Sequence, residues 1–235
     1  PTVSGIFTYT INPAGPCPYP GVPITGTITV DNDATIALNS GPGTDNQEKC
    51  VNNAITNIDY LIGGGGTGAT ISWTPSAPAG INFTPVGGGI YRISGTASVS
   101  GTFSYTISTL GPCLKPSLGG TLNVNPLPTA SFSGTAEACQ NDAVLPAITF
   151  TGAGGTRPYT FTYTIDPGTG PGLPQTVSTT ALSNSVTVQQ PTGVVGTFTY
   201  KLTSVQDGTV TACSQSVSVP DQIIKINPVP TASVD

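Results

Sequence analysis

Five cysteines are the residues of this sequence with the clearest chemistry, and they are Cys17, Cys50, Cys113, Cys139 and Cys213. Two thiols can be oxidised to a disulfide, which stabilises a small domain mainly by restricting its unfolded chain. Such bonds persist in oxidising compartments outside the cytosol. The alternative, buried free cysteines in a cytosolic protein, is disfavoured by the composition described below. An odd number leaves at least one cysteine without a partner in the chain.

The sequence contains no histidine, and this excludes the commonest catalytic arrangements. Ser-His-Asp and Cys-His sites need an imidazole as the general base, and histidine is also the commonest metal ligand. Paired carboxylates could still hydrolyse glycosides. The acidic residues occur singly, however, apart from the triplet 31–33 and the pair Asp45 and Glu48. The sequence therefore predicts a protein that is not an enzyme.

Asp31 and Asp33 flank Asn32 and are the candidates for a cation site. Carboxylate and amide oxygens are the ligands that Ca²⁺ prefers. The alternative is an ordinary polar turn. We favour the turn because the corresponding segments 125–131 and 227–233 contain no carboxylate. We expect no cofactor, with Asp31 and Asp33 as weak calcium candidates.

The single tryptophan, Trp73, could stack on a sugar ring or lie in a hydrophobic core. Ile71 shares a face of the same predicted strand, and this favours the core. Tyr19, Tyr60 and Tyr159 lie near proline or glycine turns and are expected to be partly exposed. They are scattered along the chain, so they do not define a binding patch.

The segments that carry these residues have the two-residue alternation of β-strands. In the run 102–107, Phe103, Tyr105 and Ile107 fall on one face and hydroxyl residues on the other. Similar runs occur at 70–73, 91–94, 159–165 and 185–188, and glycine-rich loops or hairpin connections are predicted at 63–66 and 87–89. Several strands in each unit of about 95 residues, with no helical period, predict an all-β protein of two-sheet sandwiches.

Two motifs recur along the chain. The first is Gly-x-Phe-Thr/Ser-Tyr, at 5–9, 101–105 and 196–200. The second is Asn-Pro-x-Pro-Thr-Ala-Ser, at 125–131 and 227–233. Its two prolines fix φ and remove amide donors, which predicts a short, stiff connector between repeats placed end to end. The predicted domains are the closing strands of an upstream repeat at 1–33, complete repeats at 34–125 and 126–227, and the start of another at 228–235.

The repeat register suggests how the cysteines pair. Cys50 and Cys139 lie near the starts of their repeats, and Cys113 and Cys213 lie near the ends. We therefore predict the disulfides Cys50–Cys113 and Cys139–Cys213, each worth about 4 kcal/mol by the entropy of the chain that it closes. Cys17 matches Cys113 and is left unpaired, because its partner belongs to the upstream repeat.

The composition narrows the partners and the compartment. Charged residues make up 7% of the chain and its net charge is −5, so no basic surface is expected to bind nucleic acid or anionic lipid. No apolar run approaches the roughly 20 residues of a membrane helix, and no signal peptide opens the sequence. These features predict an internal segment of a mature extracellular protein that does not insert into a membrane.

Several segments resemble known modules of bacterial surface proteins. The runs 79–83, 89–97 and 101–105 are similar to their immunoglobulin-like modules, and the repeat 126–227 is similar to PKD-like modules. Together with the Pro-Thr-Ala-Ser junctions, they resemble repeats of the SprB-like gliding-motility adhesins of Bacteroidetes. The resemblance implies tandem immunoglobulin-like (PKD/cadherin-like) β-sandwiches. It also implies export by type IX secretion, display at the outer membrane and cell surface, and a role in gliding.

The function predicted from these features is that of a structural stalk or adhesin segment. Its expected partners are neighbouring repeats of the same chain and extracellular polysaccharide or other surfaces. Two alternatives remain. One is a carbohydrate-binding module that uses exposed aromatic residues or glycine-rich loops. The other is a set of spacer repeats attached to a secreted glycanase.

Overall fold

The structure is a computed structural model that describes residues 3–17, 21–170 and 172–232, and these contain β-strands and turns but no helix. The strands are, in chain order, β1 (Gly5–Ile11), β2 (Ile24–Val30), β3 (Ala34–Leu38), β4 (Asn46–Cys50), β5 (Ile58–Gly64), β6 (Gly68–Thr74), β7 (Ile81–Gly87), β8 (Ile90–Gly95), β9 (Gly101–Leu110), β10 (Ser117–Asn125), β11 (Thr129–Ser133), β12 (Ala136–Cys139), β13 (Ala147–Ala153), β14 (Thr160–Asp166), β15 (Gln175–Ser178), β16 (Ser185–Gln189), β17 (Gly196–Gln206), β18 (Ser214–Ser216) and β19 (Gln222–Asn227).

The alternation seen in the sequence explains which side chains face the core. In β9, Phe103, Tyr105 and Ile107 are buried and the intervening hydroxyl residues are exposed, as predicted. The runs predicted at 70–73, 91–94, 159–165 and 185–188 coincide, to within two residues, with β6, β8, β14 and β16. The connection predicted at 87–89 is the turn between β7 and β8, where Gly88 and Gly89 have φ values of 61° and 75°.

The chain divides into two compact units. The first takes its described residues from Pro1–Gln47, Ala54–Ser98 and Thr102–Asn123, and the second takes its own from Glu48–Asn53, Val99–Gly101 and Val124–Asp235. Strand β4 therefore begins in the first unit and ends in the second, and Cys50 belongs to the second unit.

The first unit has a four-stranded sheet of order β3-β5-β8-β7, and a second sheet has the order β4-β10-β9-β6. Tyr60 of β5 and Tyr105 of β9 join the two sheets, since their rings meet edge to face with centroids 6.4 Å apart and their hydroxyls lie 3.1 Å apart. Ile58, Ile93 and Ile107 are buried around them. Strands β1 and β2 form a separate antiparallel pair.

The second unit pairs a three-stranded sheet, β11-β13-β16, with a larger sheet of order β12-β19-β17-β14-β15, in which β18 also pairs with β17. Phe150 of β13 lies 4.9 Å from Tyr163 of β14, ring centre to ring centre, in a core that includes Tyr200 and Ile224. Strand β12 runs parallel to β19, and this direction decides where its terminal Cys139 lies.

Candidate functional site: the Cys50–Cys213 disulfide

All five cysteines lie in the described ranges, and one disulfide joins Cys50 to Cys213 with their Cα atoms 5.6 Å apart. Cys17, Cys113 and Cys139 are free thiols. The predicted pairs Cys50–Cys113 and Cys139–Cys213 are therefore wrong. The bond instead connects a residue of the sequence range 34–125 with a residue of the range 126–227.

Strand direction explains why Cys139 does not reach Cys213. Because β12 is parallel to β19, Cys139 lies opposite Asn227, the last residue of β19. Strand β19 is antiparallel to β17, so Ile226, next to Asn227, lies opposite Gly196, the first residue of β17. Cys213 directly precedes β18, whose Ser214 pairs with Gln206, the last residue of β17. A strand of the length of β17 extends over about 33 Å, whereas disulfide formation needs Cα atoms roughly 4.4–6.8 Å apart. The two cysteines are at opposite ends of β17.

Strand length likewise separates Cys50 from Cys113. The residue after Cys50, Val51, donates its backbone N–H to the carbonyl oxygen of Asn125 over 2.9 Å, at the end of β10. Cys113 lies in the turn before β10 begins at Ser117. The length of β10, about 26 Å, separates the two ends, and no disulfide can bridge it.

The buried carboxylate of Asp207 organises the loop that carries Cys213. Its Oδ1 accepts hydrogen bonds from the backbone N–H of Cys213 at 3.0 Å and from the hydroxyl of Thr209 at 2.7 Å. The backbone N–H of Asp207 donates in return to the carbonyl oxygen of Cys213 over 2.9 Å. These bonds close the loop on itself and fix the direction of the Cys213 side chain, which is fully buried.

A polar network surrounds the disulfide on the other side. The Nδ2 of Asn125 donates to Oε1 of Glu48 at 2.6 Å and to the hydroxyl of Thr211 at 3.0 Å. The Thr211 hydroxyl lies 3.3 Å from Sγ of Cys213. Cys50 is 4% exposed, so a reducing thiolate has little access to either sulfur.

The titratable groups with shifted pKa values have structural roles. Burial raises the pKa of Tyr200 to about 12, with a smaller contribution from Tyr163, and the Tyr200 hydroxyl donates to Oε1 of Gln190 at 2.7 Å. Two hydrogen bonds from Arg92 lower the pKa of Asp59, which pairs with it across β5 and β8.

The calcium candidates have hydrogen-bonding roles. The carboxylate Oδ1 of Asp33 accepts the backbone N–H of Leu114 over 3.2 Å, and the carbonyl oxygen of Asp31 lies 3.6 Å from Sγ of Cys113. Within the described ranges, no three His, Cys, Asp or Glu side chains are grouped so that they could hold a metal ion.

The aromatic candidates for sugar binding are mostly internal. Trp73 is partly buried, with its ring centre 5.1 Å from that of Tyr105, in keeping with the core position favoured from the sequence. Tyr60 and Tyr159 are 1% and 3% exposed, so the partial exposure expected for them is wrong. Both point into a sandwich, and the hydroxyl of Tyr159 donates to the carbonyl oxygen of Gly155. Tyr19 lies outside the described residues.

Glu48, Asn125 and Asp207 were not predicted from the sequence as parts of this site. The recurrence of Asn125 as Asn227 in the junction motif was an available signal for one of them. No sequence signal pointed to Asp207, because its loop has no counterpart of equal length in the preceding repeat. Cys113 follows the end of β9 by three residues, whereas Cys213 follows the end of β17 by seven.

No helix among the described residues is long and apolar enough to cross a membrane.

Comparison with protein-family models and with curated protein sequences finds no match. Among solved structures, the chain is similar to a three-domain immunoglobulin fragment of titin with Glu-to-Ala substitutions, with a TM-score of 0.50 and 10% identity over 85% of this chain and 67% of that one. It is likewise similar to an I-band fragment of titin, with a TM-score of 0.50 and 11% identity over 82% and 66%. The chain thus spans about two thirds of the length of each.

At this level of identity the likeness shows the fold alone. Together with the two-sheet units described above, it confirms the predicted class: the chain is an all-β protein of immunoglobulin-like β-sandwich repeats.

Proposed function

We propose that this chain is a segment of an extracellular structural or adhesive protein, in which a disulfide carries tension from one immunoglobulin-like repeat to the next. The observation that carries the proposal is the Cys50–Cys213 bond, which spans 163 residues and connects the two sequence repeats. A bond within one repeat would stabilise that repeat only. Because this bond joins the two repeats covalently, tension passes through it and not through the residues between Cys50 and Cys213.

The proposed repeats are 34–125 and 126–227, with 1–33 and 228–235 belonging to neighbouring repeats. The sheet order supports this division, because β3–β10 and β11–β19 each make up two sheets, and β1 and β2 pair only with each other among the described strands. The neighbouring repeats are the nearest partners of the segment.

An extracellular location is supported by the disulfide, since such bonds persist in oxidising compartments. The chain also has little charge, at 7% of its residues, so its solubility rests on hydroxyl groups rather than on ion pairs that salt would screen. Both properties suit a surface exposed to changing surroundings.

The finer identity rests on the sequence resemblance to SprB-like gliding-motility adhesins. On that basis we propose display at the outer membrane after type IX secretion, contact with polysaccharide or other surfaces, and a contribution to gliding. An antibody against this chain should label intact cells that produce it, and cells that retain the antigen inside would contradict the location.

Carbohydrate recognition is less well supported than a mechanical role. Tyr60 and Tyr159 are buried and offer no exposed ring to a sugar, and Trp73 packs against Tyr105. Spacer repeats attached to a secreted glycanase would have the same mechanical properties as an adhesin segment. The two functions differ only in the domain to which the repeats are attached.

The mechanical role predicts how the chain extends under force. When it is pulled from its two ends, the Cys50–Cys213 bond withholds the 163-residue interval from extension. At about 3.3–3.6 Å per extended residue, this is roughly 550 Å of contour length.

Single-molecule force spectroscopy of the wild-type chain and of Cys50→Ser measures this length directly. We expect Cys50→Ser to extend roughly 550 Å further at complete unfolding. Cys113→Ser is the matched control, because it removes a free thiol and should leave the length unchanged. Equal contour lengths for wild type and Cys50→Ser would contradict the role.

A further inference from the structure

Cys50 and the free Cys139 have the same local structure. Each is the last residue of its strand, β4 or β12. Two residues later the chain turns through an asparagine with positive φ, 66° at Asn52 and 62° at Asn141. Asparagine adopts this left-handed conformation more readily than most residues. The same left-handed asparagine therefore follows each of the two cysteines.

The backbone after each cysteine is anchored in the same way. Val51 donates its N–H to the carbonyl oxygen of Asn125 over 2.9 Å, and Gln140 donates to that of Asn227 over 2.8 Å. Asn125 and Asn227 are the first residues of the two Asn-Pro-x-Pro junctions. Each cysteine is thus held at the point where the chain passes to the following segment.

A side-chain contact repeats at the same place. The Nδ2 of Asn125 donates to Glu48 at 2.6 Å, and the Nδ2 of Asn227 donates to Glu137 at 2.9 Å. At the first of these places, Cys50 is bonded to Cys213 of the following sequence repeat. Cys213 lies in the connection between the antiparallel strands β17 and β18, and a cysteine in such a connection is here called a hairpin cysteine. At the second, Cys139 is an exposed free thiol.

Cys113 occupies the position in its repeat that Cys213 occupies in the following one. It is the hairpin cysteine of the range 34–125, and its Sγ lies 3.6 Å from the carbonyl oxygen of Asp31. Asp31 stands in the repeat register where Asn125 stands 94 residues later. The loop of Cys213 also contacts Asn125, there through the Thr211 hydroxyl, which accepts the Asn125 Nδ2–H. Each hairpin loop therefore lies against the end of the preceding hairpin.

The preceding hairpin, β1–β2, has the features of part of a larger sheet. Strands β10 and β19 each have a second neighbour, β4 and β12, whereas β2 pairs only with β1 among the described strands. Tyr9 on this hairpin is 45% exposed, while its counterparts Tyr105 and Tyr200 are 3% and 0% exposed. A strand beside β2 would end next to Asp31, and so next to Cys113.

We propose that Cys50–Cys213 is one member of a series of disulfides between successive repeats. In each bond, the cysteine at the end of β4, of β12 or of the corresponding strand in one repeat pairs with the hairpin cysteine of the next repeat. Cys139 is then the half-site for the hairpin cysteine of a following repeat, and Cys113 is the half-site for the strand-end cysteine of a preceding one. Cys17, in the β1–β2 connection, is a hairpin cysteine of the same kind. This inference rests on the proposed function and gives it a repeating covalent backbone.

Formation of each bond is a two-electron oxidation by thiol–disulfide exchange. One cysteine thiolate attacks a disulfide oxidant and displaces one of its sulfurs as a thiol, which leaves a mixed disulfide. The second cysteine thiolate then attacks the first cysteine and displaces the remaining sulfur of the oxidant. Two protein thiols have lost their protons, the new S–S bond has formed, and the oxidant leaves as two thiols.

The test supplies Cys139 with a following repeat. Residues 1–227 are followed directly by a second copy of 126–227, which replaces 228–235, and the free thiols are alkylated before digestion without reductant. We expect a peptide that joins Cys139 to Cys213 of the appended copy. Three thiols should be alkylated, namely Cys17, Cys113 and Cys139 of the appended copy. The native Cys50–Cys213 peptide in the same digest reports that the first repeats have folded.

Two variants give matched controls. Cys139→Ser should remove the new peptide and raise the alkylated thiols to four, whereas Cys113→Ser should keep the new peptide and lower them to two. If Cys50–Cys213 is present while Cys139 is alkylated, the proposal is overturned. It is also overturned if Cys213 of the appended copy bonds within its own repeat. The force measurement on the unextended chain is independent of this result, so the two proposals can fail separately.

Discussion

The backbone N–H of Cys213 lies 3.0 Å from the buried carboxylate of Asp207, which holds the disulfide loop closed. The same carboxylate accepts the Thr209 hydroxyl on one oxygen and the backbone N–H of Thr156 on the other. Replacement by alanine leaves these donors without their charged acceptor. We expect Asp207→Ala to lower the free energy of unfolding of the second unit by about 2–4 kcal/mol, measured by denaturant titration.

Asp221→Ala is the matched control, because Asp221 is an exposed aspartate of the same unit. Its effect should stay within about 0.5 kcal/mol. If the two variants proved equally stable, the loop would not depend on the Asp207 carboxylate.

Buried tyrosines predict a loss of stability at high pH. The pKa of Tyr200 is raised to about 12 by burial, and burial raises the pKa of Tyr105 also. Between pH 10 and 12 the unfolded chain releases these protons while the folded chain keeps them. The contribution of each tyrosine is therefore complete below about pH 10, and above it falls by about 1.4 kcal/mol per pH unit. Denaturant titrations across this range measure the slope.

Tyr200→Phe separates this effect from general alkaline damage. It should cost about 1–2 kcal/mol at pH 7, because Gln190 loses its hydrogen bond. It should also make the decline of stability above pH 10 shallower. Tyr9→Phe, on the exposed β1–β2 hairpin, should keep the wild-type profile. An unchanged slope in Tyr200→Phe would show that Tyr200 ionises equally in both states.

The disulfide should contribute measurably to the second unit. Its two cysteines are separated by 163 residues, and closing so long a loop is worth at most about 5 kcal/mol of unfolded-chain entropy. We expect Cys50→Ser to lower the free energy of unfolding of this unit by about 2–5 kcal/mol. Cys17→Ser, at an exposed free thiol, should leave it unchanged. Equal losses in both variants would point to a general effect of removing thiols.

Side-chain alternation was enough to predict several of the strands and the fold class. Phe103, Tyr105 and Ile107 face the core because a pleated strand turns every second side chain to the same side. The glycines at 87–89 marked a turn because their positive φ values suit residues without a Cβ atom. Such features are local, so they can be read from the order of residues.

The cysteine pairing could not be predicted in the same way, because it depends on strand direction. Cys139 and Cys213 lie near the two ends of one sequence repeat, which suggested that they close it. The parallel pairing of β12 with β19 instead places Cys139 beside Asn227, where the chain leaves the repeat. Alternation gives the face of a side chain but not the direction of the neighbouring strand. The exposure of Tyr60 and Tyr159 was mistaken because a nearby turn does not determine where a ring points.

Peptide mapping without reductant shows whether Cys50 bonds to Cys213. Thiols are alkylated at acidic pH before digestion, so that disulfides cannot exchange. We expect one cross-linked peptide pair that contains Cys50 and Cys213, with Cys17, Cys113 and Cys139 alkylated. A digest in which Cys50 is joined to Cys113, or Cys139 to Cys213, would contradict the account.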